Sequence, residues 1–214
     1  MTDKKKNLSE ISFTPHKQFS PQQVRIGVVV SQWNSQITDA LLEGALDALQ
    51  EYHVPKANIT VRRVPGSFEL PSAAVMMLEA DEKMDAVICL GCIIQGETRH
   101  FEFIAQAVAD GIMKASIDYA TPVIFGVLTC NDMQQAIDRS GGKHGNKGTE
   151  AAVSCLQMID YQKSICLEWS SCELRSSPVR AWKLSSPLIS LRWWRWLRCR
   201  TNLPDAVSSC VSPR

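Results

Sequence analysis

Four short runs typical of strands are spaced along the chain, three of them mostly apolar and one, ITVRRV (59–64), with two arginines, and each is followed by a segment with a different periodicity. The runs occupy residues 24–30, 59–64, 84–94 and 121–130. Apolar runs of strand length with little polar alternation are typical of strands that are covered on both faces, as in parallel sheets. Parallel neighbours need a crossover connection, which is usually a helix. The pattern therefore predicts an α/β protein with a parallel sheet.

The segments between the runs have apolar residues three and four positions apart, which indicates amphipathic helices. We predict helices at residues 36–52, 70–80, 100–120, 133–140 and 149–160, with a glycine-rich turn at 141–148. Asn34 or Ser35 is available as the first N-cap. The third helix is expected to bury the side that carries Phe103, Ala107, Ile112 and Ala115. This order of elements predicts a flavodoxin-like three-layer α/β/α sandwich with a four-stranded parallel sheet.

The distribution of charge divides the chain. Residues 1–160 carry 14 basic and 19 acidic side chains, a net charge of −5, whereas residues 161–214 carry 9 and 3, a net charge of +6. We therefore predict a polar N-terminal arm (1–23), a folded domain (24–160) and a separate tail (161–214). The sequence has no apolar run of 18 residues and no apolar segment behind its basic first residues, so it predicts a cytoplasmic protein.

The CxxC pair formed by Cys89 and Cys92 raises the question of a metal site. No second Cys or His pair stands at zinc spacing, and both residues lie within an apolar run. Free cysteine packs as a small hydrophobic residue. We therefore predict reduced core thiols here and no metal site.

The segments that follow the four apolar runs form the candidate site, because ligands of open parallel sheets bind beyond the carboxyl ends of the strands. They read SQWNS (31–35), PGSFE (65–69), QGETRH (95–100) and TCND (129–132). QGETRH precedes a helix whose first N–H groups favour an anion, and Thr98 adds a hydroxyl, although an ordinary helix start explains the segment equally well. His100 is the one histidine predicted at this edge. Imidazole, with an ordinary pKa of about 6.5, moves protons near neutral pH, but a lone histidine is more often structural.

The segment GGKHGNKG (141–148) is a second candidate anion site. It follows Arg139 and contains Lys143 and Lys147, and its glycines would let the backbone approach a small anion closely. It lacks the preceding buried strand and the Gly-Lys-Ser/Thr ending of a P-loop. The segment therefore does not predict a nucleotide site.

Five motifs over residues 24–160 occur together: VVVSQWN, VPGSFELP, GCIIQGETRHFEFIA, TPVIFGVLT and AIDRSGGKHGNKGTEAA. In order and spacing they resemble the motifs of lumazine synthases, a family of riboflavin biosynthesis. The resemblance implies a transferase that works without a cofactor and condenses 5-amino-6-(D-ribitylamino)uracil with 3,4-dihydroxy-2-butanone 4-phosphate, releasing phosphate and water. Gln95 departs from the family, which often has arginine there, and residues 161–214 do not match it.

The resemblance also implies roles for individual residues. The proton-transfer residue would be His100. The groups around the pyrimidine ring and ribityl chain would be Trp33, Ser67, Phe68, Glu69, Cys92, Ile93, Ile94 and, from a neighbouring subunit, Phe125. The phosphate would be bound by Glu97, Thr98 and, across the interface, Arg139, with support from Lys143 and Lys147. The implied assembly is a homo-oligomer, either a pentamer or a shell of sixty subunits, with riboflavin synthase as a further partner.

Two other functions stay open at the level of sequence. One is a carrier of flavins or lumazines without turnover, against which His100, Thr98 and Arg139 argue together. The other is a membrane or nucleic-acid binder that acts through the tail, because LRWWRWLRCR (191–200) interleaves arginine with tryptophan. We favour neither partner, and we hypothesise that the tail is disordered or arises from a frameshift or readthrough near codon 161.

Overall fold

The sheet of this protein has four parallel strands. The computed structural model describes residues 12–17 and 19–171, with side chains up to residue 165. The strands are β1 (Ile26–Ser31), β2 (Ile59–Val64), β3 (Ala86–Ile94) and β4 (Val123–Cys130). Their order across the sheet is β2-β1-β3-β4, and each adjacent pair is parallel.

Helices cover both faces of this sheet. They are α1 (Ser35–Glu51), α2 (Leu70–Ala80), α3 (His100–Tyr119), α4 (Met133–Asp138) and α5 (Lys147–Ser171). One core joins α1 and α5 to the sheet, and the other joins α2 and α3 to the opposite face. The predicted three-layer α/β/α sandwich is confirmed.

Burial of β1 explains why its sequence shows no polar alternation. Val28 and Val30 belong to the core under α1 and α5, whereas Val29 belongs to the core under α2 and α3. All three side chains are inaccessible to solvent. Successive side chains of a strand point to opposite faces, so a strand between two helical layers needs apolar residues at every position.

Element boundaries differ from the sequence prediction at the last helix and at the glycine-rich segment. Helix α5 begins two residues earlier than expected and runs to Ser171 within the described residues. The segment predicted as a turn forms a small antiparallel hairpin of β5 (Ser140–Gly142) and β6 (Gly145–Asn146). Gly141 and Gly145 have φ angles of 118° and 78°, which glycine adopts without the steric cost of a side chain.

The buried face of α3 also differs from the prediction. Ile112 and Ala115 are buried as expected, but Phe103 is 65% exposed and Ala107 lies outside the core. Val108 is fully buried instead. The apolar residues of this helix surround more than one side, so their spacing alone did not identify which side faces the sheet.

The described part of the N-terminal arm packs onto the α1 and α5 layer. Phe13 makes edge contacts with Phe19 and Tyr52, and its N–H donates to the Tyr52 hydroxyl at 3.0 Å. The imidazole Nδ1 of His16 lies 2.6 Å from Oδ2 of the buried Asp160. The predictions for residues 1–11 and for the tail from residue 172 lie outside the described residues. None of the helices among the described residues has the length and hydrophobicity of a transmembrane segment.

Candidate active site

The chain topology places a crevice between the carboxyl ends of β1 and β3. From β1 the chain crosses through α1 to β2 on one side, and from β3 it crosses through α3 to β4 on the other. The helices α1 and α3 lie on opposite faces of the sheet. Such a reversal is the place where open α/β sheets bind ligands. The segments after β1 and β3 therefore border the candidate site.

Trp33 stands at this crevice with its ring largely open to solvent. Its backbone N–H donates to the carbonyl of Pro65 at 3.1 Å, and the N–H of Gln32 donates to that of Val64 at 2.8 Å. The indole remains 69% exposed. A Cβ atom on Gly66 would lie 3.3 Å from the ring, so the indole rests close to the backbone after β2. An exposed aromatic face of this kind can stack on a planar ligand.

The residues after β2 form a tight elbow beside Trp33. Ser67, Phe68 and Glu69 make one turn of 3-10 helix, and Oε2 of Glu69 accepts the Gly66 N–H at 2.9 Å. Phe68 is 56% exposed, whereas Ser67 is buried. The Ser67 hydroxyl has no hydrogen-bond partner within the described residues. The elbow thus combines an apolar ring, a carboxylate and a hydroxyl that retains its bonding capacity.

The end of β3 supplies a backbone wall. Cys92 and Ile93 are buried and Ile94 is half-buried. The Cys92 carbonyl accepts a hydrogen bond from Nδ2 of Asn34 at 3.1 Å. Burial raises the pKa of the Cys92 thiol to about 12, with the neighbouring Cys130 as a second cause. Cys92 is therefore a protonated thiol near neutral pH and not a nucleophile.

The cysteines of the CxxC pair are both free and buried, as predicted for core thiols. Burial raises the pKa of Cys89 to about 12 as well. Across the described residues, no group of three or more His, Cys, Asp or Glu side chains is arranged to hold a metal ion.

The segment between β3 and α3 presents backbone N–H groups and His100 to solvent. Helix α3 begins at His100, and its N-cap residue Arg99 makes no side-chain cap. All residues from Gln95 to His100 are exposed. Arg99 itself bonds to Glu102 at 3.0 Å and lies over the Phe103 ring at 5.9 Å. The His100 N–H donates to the Thr98 hydroxyl oxygen at 3.5 Å, and the Glu102 N–H donates to the Arg99 carbonyl at 3.1 Å. The exposed segment before them, with the His100 imidazole, is accessible to an anion at the start of the helix.

The hairpin segment that carries the remaining cations is built differently from an anion loop. Lys147 bonds to the buried Glu150 at 2.9 Å, and Lys143 lies 3.6 Å from Asp138. A Cβ atom on Gly148 would fall 1.8 Å from the Leu41 carbonyl oxygen, so this glycine permits close packing of α5 on α1. Part of the glycine pattern therefore serves packing, and both lysines already have acidic partners.

The structure brings most of the candidate residues to one edge of the sheet, but it separates two of them. Phe125 is 37% exposed and lies opposite Cys89, five residues before the end of β4. At a rise of about 3.3 Å per residue this is roughly 16 Å from the carboxyl end. Arg139 is exposed and follows α4, and its backbone closes the hairpin through the Lys147 N–H at 2.8 Å. Apart from this backbone bond to Lys147, no hydrogen bond or ion pair joins either residue to the other candidates within the described part of this chain.

The sequence did not indicate two features of this edge. Asn34, one of the two expected N-cap residues, occupies the N-cap of α1, but its side chain makes no cap and bonds to β3 instead. Gly91 lies against Ser67, since a Cβ atom there would be 2.6 Å from the serine Oγ. Both contacts join segments far apart in sequence, and the presence of an asparagine or a glycine does not predict such a contact.

Comparison with known proteins agrees with the motifs. Residues 23–163 match the family described as 6,7-dimethyl-8-ribityllumazine synthase. A protein of that name from Cytophaga hutchinsonii is 54% identical over 133 residues, covering 62% of this chain and 83% of the relative. Others from Parabacteroides distasonis and Flavobacterium johnsoniae are 46% and 49% identical, covering 72% and 77% of this chain and 95% and 86% of the relatives. The family match leaves residues 164–214 uncovered.

Proposed function

The chain belongs to the 6,7-dimethyl-8-ribityllumazine synthase family, and from this premise we propose that it carries out the synthase reaction at the carboxyl end of β1 and β3. The enzyme is a transferase of riboflavin biosynthesis. It joins 5-amino-6-(D-ribitylamino)uracil to 3,4-dihydroxy-2-butanone 4-phosphate. The amine attacks the ketone to give an imine with loss of water, phosphate is eliminated, and ring closure with loss of a second water yields the lumazine.

The pyrimidine substrate is assigned to the β1 and β2 side of the crevice. The open indole of Trp33 would stack on the ring, and Glu69 with the unpartnered Ser67 hydroxyl would bond to the ribityl chain. Phe68 adds apolar contact, and the backbone of Cys92, Ile93 and Ile94 would bond to the edge of the ring. The support for this assignment is that these groups follow the ends of β1, β2 and β3 at one sheet edge, with the Trp33 ring exposed and the Ser67 hydroxyl without a partner.

The phosphate substrate is assigned to the start of α3. The N–H groups at Glu97 and Thr98 and the Thr98 hydroxyl suit a phosphate, whose negative charge the helix dipole also favours. His100 follows within one turn and would move the protons that imine formation and elimination require. The observation that carries the proposal is an exposed imidazole at the start of α3, in the segment that follows the end of β3 at the crevice.

Completion of the site is assigned to a second copy of the chain. Phe125 lies five residues before the carboxyl end of β4, Arg139 has no side-chain bond to the pyrimidine or phosphate candidates of its own subunit, and both residues are exposed. In a ring of copies they would complete a neighbour's site, with Lys143 and Lys147 in support. The proposal includes a homo-oligomer, pentamer or sixty-subunit shell, a cytoplasmic location, and riboflavin synthase as the consumer of the product.

A two-substrate assay on the full-length protein tests this function. Mixing both substrates with the protein should give the absorbance and fluorescence of the lumazine at a rate well above the uncatalysed one. A soluble, assembled protein that binds the lumazine without forming it would favour the carrier alternative. Loss of all activity on deletion of residues 172–214, with binding that weakens steeply as salt rises, would instead indicate the tail.

A further inference from the structure

Asn34 redirects the backbone between Trp33 and α1. Its φ and ψ angles are 58° and 45°, the left-handed region that asparagine tolerates better than most side chains. Its carbonyl accepts the N–H groups of Ile37 and Thr38 at 2.8 and 3.0 Å. The turn that follows Trp33 is therefore sharp and closed by the backbone itself.

Beyond the end of β1, the Asn34 side chain makes a hydrogen bond to β3 in the region where β1 no longer pairs with it. The last residue pair between β1 and β3 is Val30 with Leu90, whereas β3 continues to Ile94. Beyond that pair, the Nδ2 group of Asn34 donates to the Cys92 carbonyl at 3.1 Å. This bond ties the turn to the part of β3 that borders the crevice.

Hydrogen bonds join the turn around Trp33 to β2 on one side and to β3 on the other. On one side, backbone bonds from Gln32 and Trp33 join the turn to the end of β2. On the other side, the tie to β3 at this point comes from the Asn34 amide. The indole is largely exposed, so its own packing does little to fix its place.

We propose that Asn34 is a positioning residue for the pyrimidine substrate. By bonding to the Cys92 carbonyl it fixes the separation between the Trp33 indole and the backbone of residues 92–94, between which the ring is held. This inference rests on the proposed function. It places no chemistry on Asn34, and it leaves the phosphate side at the start of α3 unaffected.

The test compares Asn34→Gly with wild type in the full-length protein. Glycine keeps the left-handed backbone and removes the amide. We expect KM for the pyrimidine substrate to rise about tenfold, as for the loss of one hydrogen bond in a binding site, with kcat within about threefold. KM for the butanone phosphate should stay unchanged. Asn34→Asp keeps the shape of the side chain but places a carboxylate oxygen against the Cys92 carbonyl oxygen. Because the two oxygens repel each other, this variant should raise the KM for the pyrimidine substrate further.

His53→Gly is the matched control. His53 is a second non-glycine residue with a left-handed backbone, at φ 64°, and it is exposed in the turn after α1. The same substitution there should leave both KM values unchanged. A fluorescence titration with 6,7-dimethyl-8-ribityllumazine gives a readout without turnover, and Asn34→Gly should weaken binding by about the same factor.

The inference would be overturned if the Asn34→Gly variant had the same KM for the pyrimidine substrate and the same affinity for the lumazine as wild type. Equal changes in both KM values together with a lowered Tm would also overturn it, because they indicate a general structural role. A wild-type protein that makes no lumazine would instead overturn the proposed function, and the titration would still decide whether Asn34 positions the ligand.

Discussion

Two serine hydroxyls, those of Ser31 and Ser67, are buried without a hydrogen-bond partner in the described part of the chain. Leaving a buried hydroxyl unpaired costs about 1–3 kcal/mol. Neither hydroxyl oxygen is accessible to solvent, but Ser67 belongs to the elbow at the crevice whereas Ser31 lies at the end of β1. An unpaired hydroxyl at a binding site gains its bond when the ligand arrives.

Ser67→Ala therefore should act in opposite directions on stability and binding. We expect the free energy of unfolding of the free protein to stay level or rise by about 1 kcal/mol. The affinity for the lumazine should fall about fivefold. Chemical denaturation and fluorescence titration measure the two effects. Ser31→Ala is the control, with the same effect on stability and unchanged affinity; equal loss of affinity in both variants would contradict a direct role for Ser67.

His100→Ala should remove most of the rate but not all of it. Proton transfer by a positioned side chain contributes about 10²–10⁴-fold, whereas holding the two substrates together survives the substitution. We expect kcat to fall at least about a hundredfold with both KM values nearly unchanged. Steady-state kinetics by lumazine absorbance measure this. His53→Asn, which suits the left-handed backbone at that position, should retain wild-type kcat.

Residue types with a strong chemical signature were easier to predict than residues that act through geometry. His100 was singled out because it is the one histidine predicted at the sheet edge, whereas the roles of Trp33 and Glu69 came from the resemblance to the family. Asn34 was expected to cap a helix, since that is the common local role of asparagine. Its bond to Cys92 spans 58 residues in sequence, and no local pattern encodes it.

At the scale of elements, the junction of α5 with α1 is the tightest contact between helices that involves glycine. Gly148→Ala would place a Cβ atom 1.8 Å from the Leu41 carbonyl oxygen and 2.6 Å from its carbon, and neither is a flexible side-chain end. We expect the free energy of unfolding to fall by about 3 kcal/mol or more, because the two helices must move apart. Gly96→Ala, with no atom within 4 Å of the new Cβ, should change stability by less than about 0.5 kcal/mol.

The buried thiols of β3 give the sheet a dependence on alkaline pH. Burial raises the pKa of Cys89 from 9.0 to about 12. The unfolded thiol ionises first as pH rises, so the unfolded state loses its proton while the folded state keeps it. Stability is therefore full below pH 9 and is lost between pH 9 and 12, by up to about 1.4 kcal/mol per pH unit for each such thiol. Denaturation of wild type and Cys89→Ala should give parallel pH profiles below pH 8 and a shallower alkaline decline in the variant.

Elements buried on both faces were predictable because their composition follows from their environment. Every residue of β1 is buried, so an apolar run was the pattern to be expected. Helix α3 was predicted in place, but its inward face was not, because Phe103 is apolar and yet exposed. Single apolar residues are common on protein surfaces, and only a large contiguous apolar patch indicates a surface that another molecule covers. A single sequence does not distinguish such a surface from a core.

At the scale of the whole molecule, the arm and the tail differ in what is known to connect them to the domain. The described arm is held to the domain by Phe13 and His16, whereas the family match stops at residue 163. All candidate site residues lie before Ala151, so the tail contributes none of them. The hypothesis of a frameshift near codon 161 stays a prediction, and sequencing the coding DNA tests it. It fails if no alternative frame restores a short, lysine-rich helix end after Asp160.

The proposal that sites lie between copies makes the whole assembly, and not the subunit, the active unit. If His100 of one copy works with Arg139 of its neighbour, His100→Ala and Arg139→Ala subunits should complement each other. In rings formed from equal amounts, about one quarter of the interfaces would pair an intact His100 with an intact Arg139, as in any head-to-tail ring. Co-expression with two affinity tags, followed by sequential purification, isolates the mixed assemblies. We expect them to recover up to about a quarter of wild-type kcat, while each variant alone stays far below it.

The control is His100→Ala co-assembled with the double variant that carries both His100→Ala and Arg139→Ala. These assemblies contain no intact interface and should recover no activity. Mixed assemblies without recovery would place His100 and Arg139 in the site of a single subunit, because every subunit then carries one defect that its neighbour cannot repair.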